Sequence, residues 1–141
     1  TLNDMRIVLD TNVLLTSFSS QSETHWIWTA LTEGKYTLCL THDILLEYEE
    51  IIARHSSADL ANAVTDALLD LPNVQLITRF FSWNLILADP DDNKFTDCAI
   101  AAQARFLVSE DRHFAILRKI EFPKVEVIGV NAFRLEIFQE D

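Results

Sequence analysis

Glycine and proline are nearly missing from this chain: two glycines and three prolines in 141 residues. Long flexible linkers and proline-rich spacers need one or the other, so neither is expected. Cysteine is equally scarce. Cys39 and Cys98 both stand among apolar neighbours, with no CxxC spacing and no Cys/His cluster. This argues against a zinc site and for reduced thiols in a core. Positive charge is the third shortage: 11 basic residues face 22 acidic ones, for a net charge of −11. This argues against a protein that grips nucleic acid by a broad basic face. It leaves open an enzyme whose carboxylates hold metal ions, because bound cations reverse the local sign. No apolar run reaches the roughly 18 residues of a membrane helix. No secretory-signal pattern opens the sequence. The expectation is a cytoplasmic protein with no membrane partner.

What is present is a balance of 49% apolar and 23% charged residues, enough for a sizeable core in one domain spanning residues 1–141. Strand and helix signals alternate along it. Short apolar strands are expected at Arg6–Asp10, Tyr36–Leu40, Val74–Thr78, Phe106–Ser109 and Val125–Ile128. Between them the periodicity predicts helices over Asn12 to about Ser19, Glu23–Gly34 with Gly34 as C-cap, and His42 to about Arg54 behind an N-cap at Thr41. Further helices are expected over Ser57–Leu71, from Asp91 to about Gln103, over Asp111–Lys119 and over Asn131–Phe138. Alternation of this kind points to an α/β fold with a parallel sheet flanked by helices. Such sheets bind ligands beyond the carboxyl ends of their strands.

One stretch, "MRIVLDTNVLL", sharpens the question. The run Ile7-Val8-Leu9 ends abruptly on Asp10, and burying that carboxylate costs several kcal/mol unless something pairs with it. Asp10 is either a helix cap or part of a site. Four other carboxylates fall at telling places. Glu47 lies mid-helix, toward the apolar side, in "THDILLEYEEI". Asp92 opens the helix after the third strand and Asp97 lies inside it. Asp111 follows the fourth strand. Such a group cannot stay ionised without counter-charge. Mg2+ or Mn2+ would supply it, since both are hard cations that take oxygen ligands. Asp97 lies five residues after Asp92, about 140° around a regular helix, so it is the second choice of the two.

At this point the sequence resembles the PIN domain family, in particular its toxin components of toxin–antitoxin systems. The residues that carry the resemblance are "IVLDTNVLLTS" at Ile7–Ser17, "LLEYEEII" at Leu45–Ile52, "DPDDNKFTDCAIAAQA" at Asp89–Ala104 and "FLVSED" at Phe106–Asp111. The resemblance implies a parallel sheet of about five strands in the order 3-2-1-4-5. It implies a metal-dependent endoribonuclease acting on single-stranded RNA, an antitoxin protein as partner, and self-association into a homodimer. It implies that Asp10, Glu47, Asp92 and Asp111 are the catalytic carboxylates and metal ligands, with Asp97 as a further ligand. Asn12 and Ser109 match polar positions that orient this cluster, Ser109 standing where threonine is usual.

Plainer readings compete. Asp89 and Asp91 read as turn and cap residues, Glu110 as exposed, and the four histidines share no ligand spacing. Lys94 and Arg112 flank the acidic positions and are the expected phosphate contacts, unless they merely balance charge. A non-catalytic binding module for RNA or protein, of the same fold, is the alternative function. A phosphatase with an aspartyl nucleophile would want a second aspartate two residues after Asp10, where the chain has Asn12.

Overall fold

The structure is a computed structural model that describes residues 5–79, 81–87 and 89–139. Five strands form one sheet in the order β3-β2-β1-β4-β5. They are β1 (Arg6–Leu9), β2 (Thr37–Leu40), β3 (Val74–Leu76), β4 (Phe106–Val108) and β5 (Val127–Ile128). Every pairing is parallel, as the alternating sequence signals and the family resemblance predict. The three central strands are the apolar ones. Ile7–Leu9, Leu38–Leu40 and Phe106–Val108 are all buried, whereas edge strand β3 exposes Gln75 and Leu76. A strand covered on both faces reads as an uninterrupted apolar run, and these three do.

Among the described residues, six α-helices accompany the sheet: α1 (Thr11–Thr16), α2 (His25–Thr32), α3 (His42–His55), α4 (Ala58–Asp70), α5 (Asn93–Ala102) and α6 (Val130–Ile137). Helix α3 starts where expected, with the Ile44 N–H donating to the Thr41 hydroxyl. Its Tyr48 hydroxyl donates to the Leu9 carbonyl at 2.6 Å, tying α3 to the carboxyl end of β1. Helix α2 closes on Gly34. The Gly34 N–H reaches Leu31 O at 3.0 Å and the Lys35 N–H reaches Ala30 O at 2.9 Å. That double bond pattern needs a left-handed residue, and Gly34 has φ +77°.

One expected helix differs in kind. Arg112–Lys119 is a 3-10 helix, following a short 3-10 turn at Pro90–Asp92 earlier in the chain. Its buried residues, Phe114 and Leu117, are three apart, which matches three residues per turn and puts both on the core side. Both cysteines are free and buried. Among the described residues, no helix is long and apolar enough to cross a membrane.

Candidate active site

β1 and β4 lie side by side, with Leu9 opposite Val108. The next residue of each strand, Asp10 and Ser109, therefore leaves the sheet at the same place. The Asp10 N–H continues the ladder to Val108 O at 3.1 Å. The Ser109 hydroxyl then donates to Asp10 Oδ2 at 2.6 Å and accepts from the Asp111 N–H at 2.9 Å. One small side chain thus fixes a carboxylate from each of two adjacent strand ends. Asp10 is 6% exposed and makes no side-chain cap bond to α1, so the helix-cap reading does not account for it. Burial raises its pKa above the usual carboxylate value, and the charges of Asp111 and Glu47 add to the rise. The Ser109 hydroxyl and the Asn12 backbone N–H, both donating to the carboxylate, oppose it.

A second set arrives from the turn before α5. Asp89 caps that turn, accepting from the Asp91 N–H at 3.2 Å, and Asp92 follows it into the core. Asp111 accepts from the His113 N–H at 2.9 Å, which turns the histidine ring back over the strand end. One ligand atom each from Asp89, Asp92, Asp111 and His113 fall within 4.8 Å of one another. His113 Nδ1 is 3.3 Å from Asp111, 3.6 Å from Asp92 and 3.7 Å from Asp89. Asp92 is the most telling member. It is 9% exposed, and its buried Oδ2 has no hydrogen-bond partner among the described residues. Its pKa is pushed up to about 7, first by burial and then by Asp89, Asp111 and Asp10, with His113 acting the other way. A buried carboxylate oxygen without a donor, facing further carboxylates, is the donor set a hard divalent cation satisfies.

Glu47 reaches toward Asp10 from α3. It accepts from the Thr11 hydroxyl and from Lys94 Nζ, each at 2.5 Å. Lys94 is therefore bound to a carboxylate in this structure rather than free for phosphate. Arg112 is exposed at the start of the 3-10 helix, and Asn12 is exposed beside Asp10. Asp97 is not brought to the group. Its Oδ1 accepts from the Trp83 N–H and its Oδ2 from Arg79, both at 3.1 Å. Asp92 lies in the 3-10 turn ahead of α5, so the offset reckoned for one regular helix does not apply, and Asp97 faces the chain that precedes the turn.

Sequence reasoning passed over three contributors. Asp89 and Asp92 are an i, i+3 pair that a 3-10 turn places on one side, yet Asp-Pro-Asp reads first as a plain turn. His113 lies two residues past Asp111, a spacing that becomes meaningful only once the Asp111 carboxylate caps the following helix. Thr11 hides in the Asp-Thr-Asn punctuation.

Comparison with known proteins agrees with the fold. A family model described as PIN domain matches residues 6–113. No curated protein matches the sequence. A crystal structure described as VapBC2 from Rickettsia felis bound to a DNA fragment from its promoter superposes with a TM-score of 0.59. The two share 16% identity over 89% of this chain and 98% of the other, a likeness of fold.

Proposed function

The chain belongs to the PIN domain family, and from that premise we propose that it is a divalent-metal-dependent endoribonuclease. In this reading it hydrolyses phosphodiester bonds of single-stranded RNA as the toxin component of a toxin–antitoxin pair. The observation that carries the reading is the buried, unpartnered Asp92 oxygen set among Asp89, Asp111 and His113 beside Asp10. Asp10, Asp92 and Asp111 would hold Mg2+ or Mn2+, with Asp89 and His113 as further ligands within reach. When bound, such an ion supplies positive charge to the scissile phosphate and makes water a better nucleophile at neutral pH.

The chain's own residues have definable tasks. Ser109 holds Asp10 and the Asp111 backbone in register. Lys94 and Thr11 hold the Glu47 carboxylate toward Asp10. With its pKa pushed up to about 7, the Asp92 carboxyl is partly protonated near neutrality, so proton release would accompany metal uptake. In the hydrolysis, water oxygen bonds to phosphorus, the bond to the leaving ribose oxygen breaks, and a proton from water ends on that oxygen.

The antitoxin is part of the same reading, supported by a structural neighbour described as VapBC2. A homodimer is the oligomeric state expected, and light scattering would measure it. The deciding experiment is cleavage of a mixed-sequence single-stranded RNA with Mn2+ or Mg2+, beside EDTA and Asp10→Asn controls. Metal-dependent cutting, absent in a variant that keeps its melting temperature, is the expected result. Absence of both cutting and calorimetric metal uptake in the wild type would favour a non-catalytic module. Loss of activity in Asp10→Asn through unfolding would remove the case for that ligand.

A further inference from the structure

A cleft of about 680 Å3 runs away from Asp10 and Asp111, between α2 and α6. That volume falls within the roughly 300–1,000 Å3 of small-ligand pockets. Its far wall carries Trp26 and Arg134. Arg134 is the one basic residue among those lining it, in a chain of net charge −11. A guanidinium kept for charge balance would sit against a carboxylate, as Arg54 sits against Glu50 at 2.9 Å. Arg134 forms no ion pair among the described residues. Instead its guanidinium carbon lies 5.8 Å from the Trp26 ring centre and 6.0 Å from that of Phe138. Stacking on rings supports a guanidinium while leaving its N–H fork available to phosphate oxygens.

The position of α6 is set by the site itself. Glu110, next to Asp111, accepts from the Val130 N–H at 2.5 Å at the first turn of α6. The carboxylate comes so near that a Cβ on Gly129 would meet it at 2.8 Å. The strand end that carries Asp111 therefore also anchors the helix that carries Arg134.

We infer that the nucleotide beside the scissile phosphate lies in this cleft, its phosphate paired with Arg134 and its base laid against Trp26. The inference rests on the nuclease reading and adds the subsite by which an acidic protein holds its RNA. Aromatic stacking is tolerant of sequence, so the subsite contributes affinity rather than base discrimination.

Steady-state cleavage of a mixed-sequence single-stranded RNA in Mn2+ tests it, with wild type, Arg134→Ala and Arg134→Lys at several salt concentrations. Arg134→Ala raises KM about tenfold with kcat within about threefold. It also lowers the slope of log kcat/KM against log salt by about 0.7, the value for one single-strand phosphate contact. Arg134→Lys keeps the slope and recovers part of the KM. Stopped-flow mixing with the RNA quenches tryptophan emission, and Trp26→Phe removes most of the quench. Wild-type protein that does not cut RNA ends the nuclease reading, and the subsite with it. Wild-type cutting with an Arg134→Ala variant unchanged in KM and salt slope ends the subsite alone, as does a loss confined to kcat. A full quench in Trp26→Phe overturns the placement of the base.

Discussion

Asp92 and Asp97 are five residues apart, at and just inside the start of one helix, and they illustrate two fates of a buried carboxylate. Both are buried, at 9% and 2% exposed, and burial is the leading cause that raises the pKa of each. Asp97 is supplied with donors. Arg79 and the Trp83 N–H take one oxygen each, and four residues before it Asn93 bonds both the N–H and the carbonyl of Ile86. Together these side chains pin the segment before the turn onto α5. Asp92 has only other acids and a histidine around its Oδ2. The first is a fastener complete within the fold. The second is a carboxylate oxygen to which the described residues supply no hydrogen-bond donor.

The comparison breaks most visibly at Asp92→Asn. Cleavage and calorimetric Mn2+ uptake are expected to vanish, whereas the metal-free protein should become more stable at pH 8. The sign follows from linkage. A folded-state pKa raised to about 7, above the unfolded value of about 4, makes the group cost stability as pH rises through that window. Asparagine removes the cost above pH 7 and changes little below pH 4. Urea unfolding in EDTA at pH 5 and pH 8 measures it, and a variant less stable at pH 8 would show Asp92 to be a structural residue. Asp97→Ala should do the reverse. It loses about 1–3 kcal/mol of stability by stranding its donors and speeds exchange of the Trp83 amide, yet binds Mn2+ as the wild type does. Loss of metal uptake in that variant would return Asp97 to the ligand set.

Smaller effects sharpen the contrast. Ser109→Ala removes the hydroxyl shared by Asp10 and the Asp111 backbone, and should weaken Mn2+ binding or cleavage by about tenfold, as outer partners of metal ligands do. An unchanged titration would leave Ser109 as packing. Gly129→Ala presses on the Glu110 side chain, which can swing aside. Its expected signature is a KM shift of about threefold or less with kcat unchanged, and a changed kcat instead would separate α6 from substrate binding.

Much of this was legible in the residues. Uninterrupted, β-branched apolar runs bounded by turn residues, such as Ile7–Leu9, read as strands buried on both faces, and Asp10 and Asp111 announce themselves by following such strands. Thr41 before the apolar stripe of α3, and Gly34 after α2, mark their helix ends by chemistry that needs no tertiary help. Arg112–Lys119 was harder, since the same residues satisfy a helix of either pitch until packing against β5 selects the tighter one. Asp89 and His113 were illegible as members of the acidic group because a turn aspartate and a surface histidine are common, and only their convergence distinguishes them. Which carboxylate Lys94 balances was hidden because its partner, Glu47, lies 47 residues away. Arg134 gave no local signal at all, being one arginine on a short closing helix.

The sequence by itself therefore determined the alternation of strand and helix, the carboxylates at the ends of β1 and β4, and membership in the PIN domain family. Those are consequences of local periodicity and of motifs contained within a few residues. Which of two aspartates, one just before α5 and one inside it, faces the cluster, which basic residues are already paired, and where a cleft opens beside Asp10 were decided by tertiary structure. Each depends on groups far apart in the chain meeting at the sheet's carboxyl edge, and no local pattern encodes a meeting of that kind.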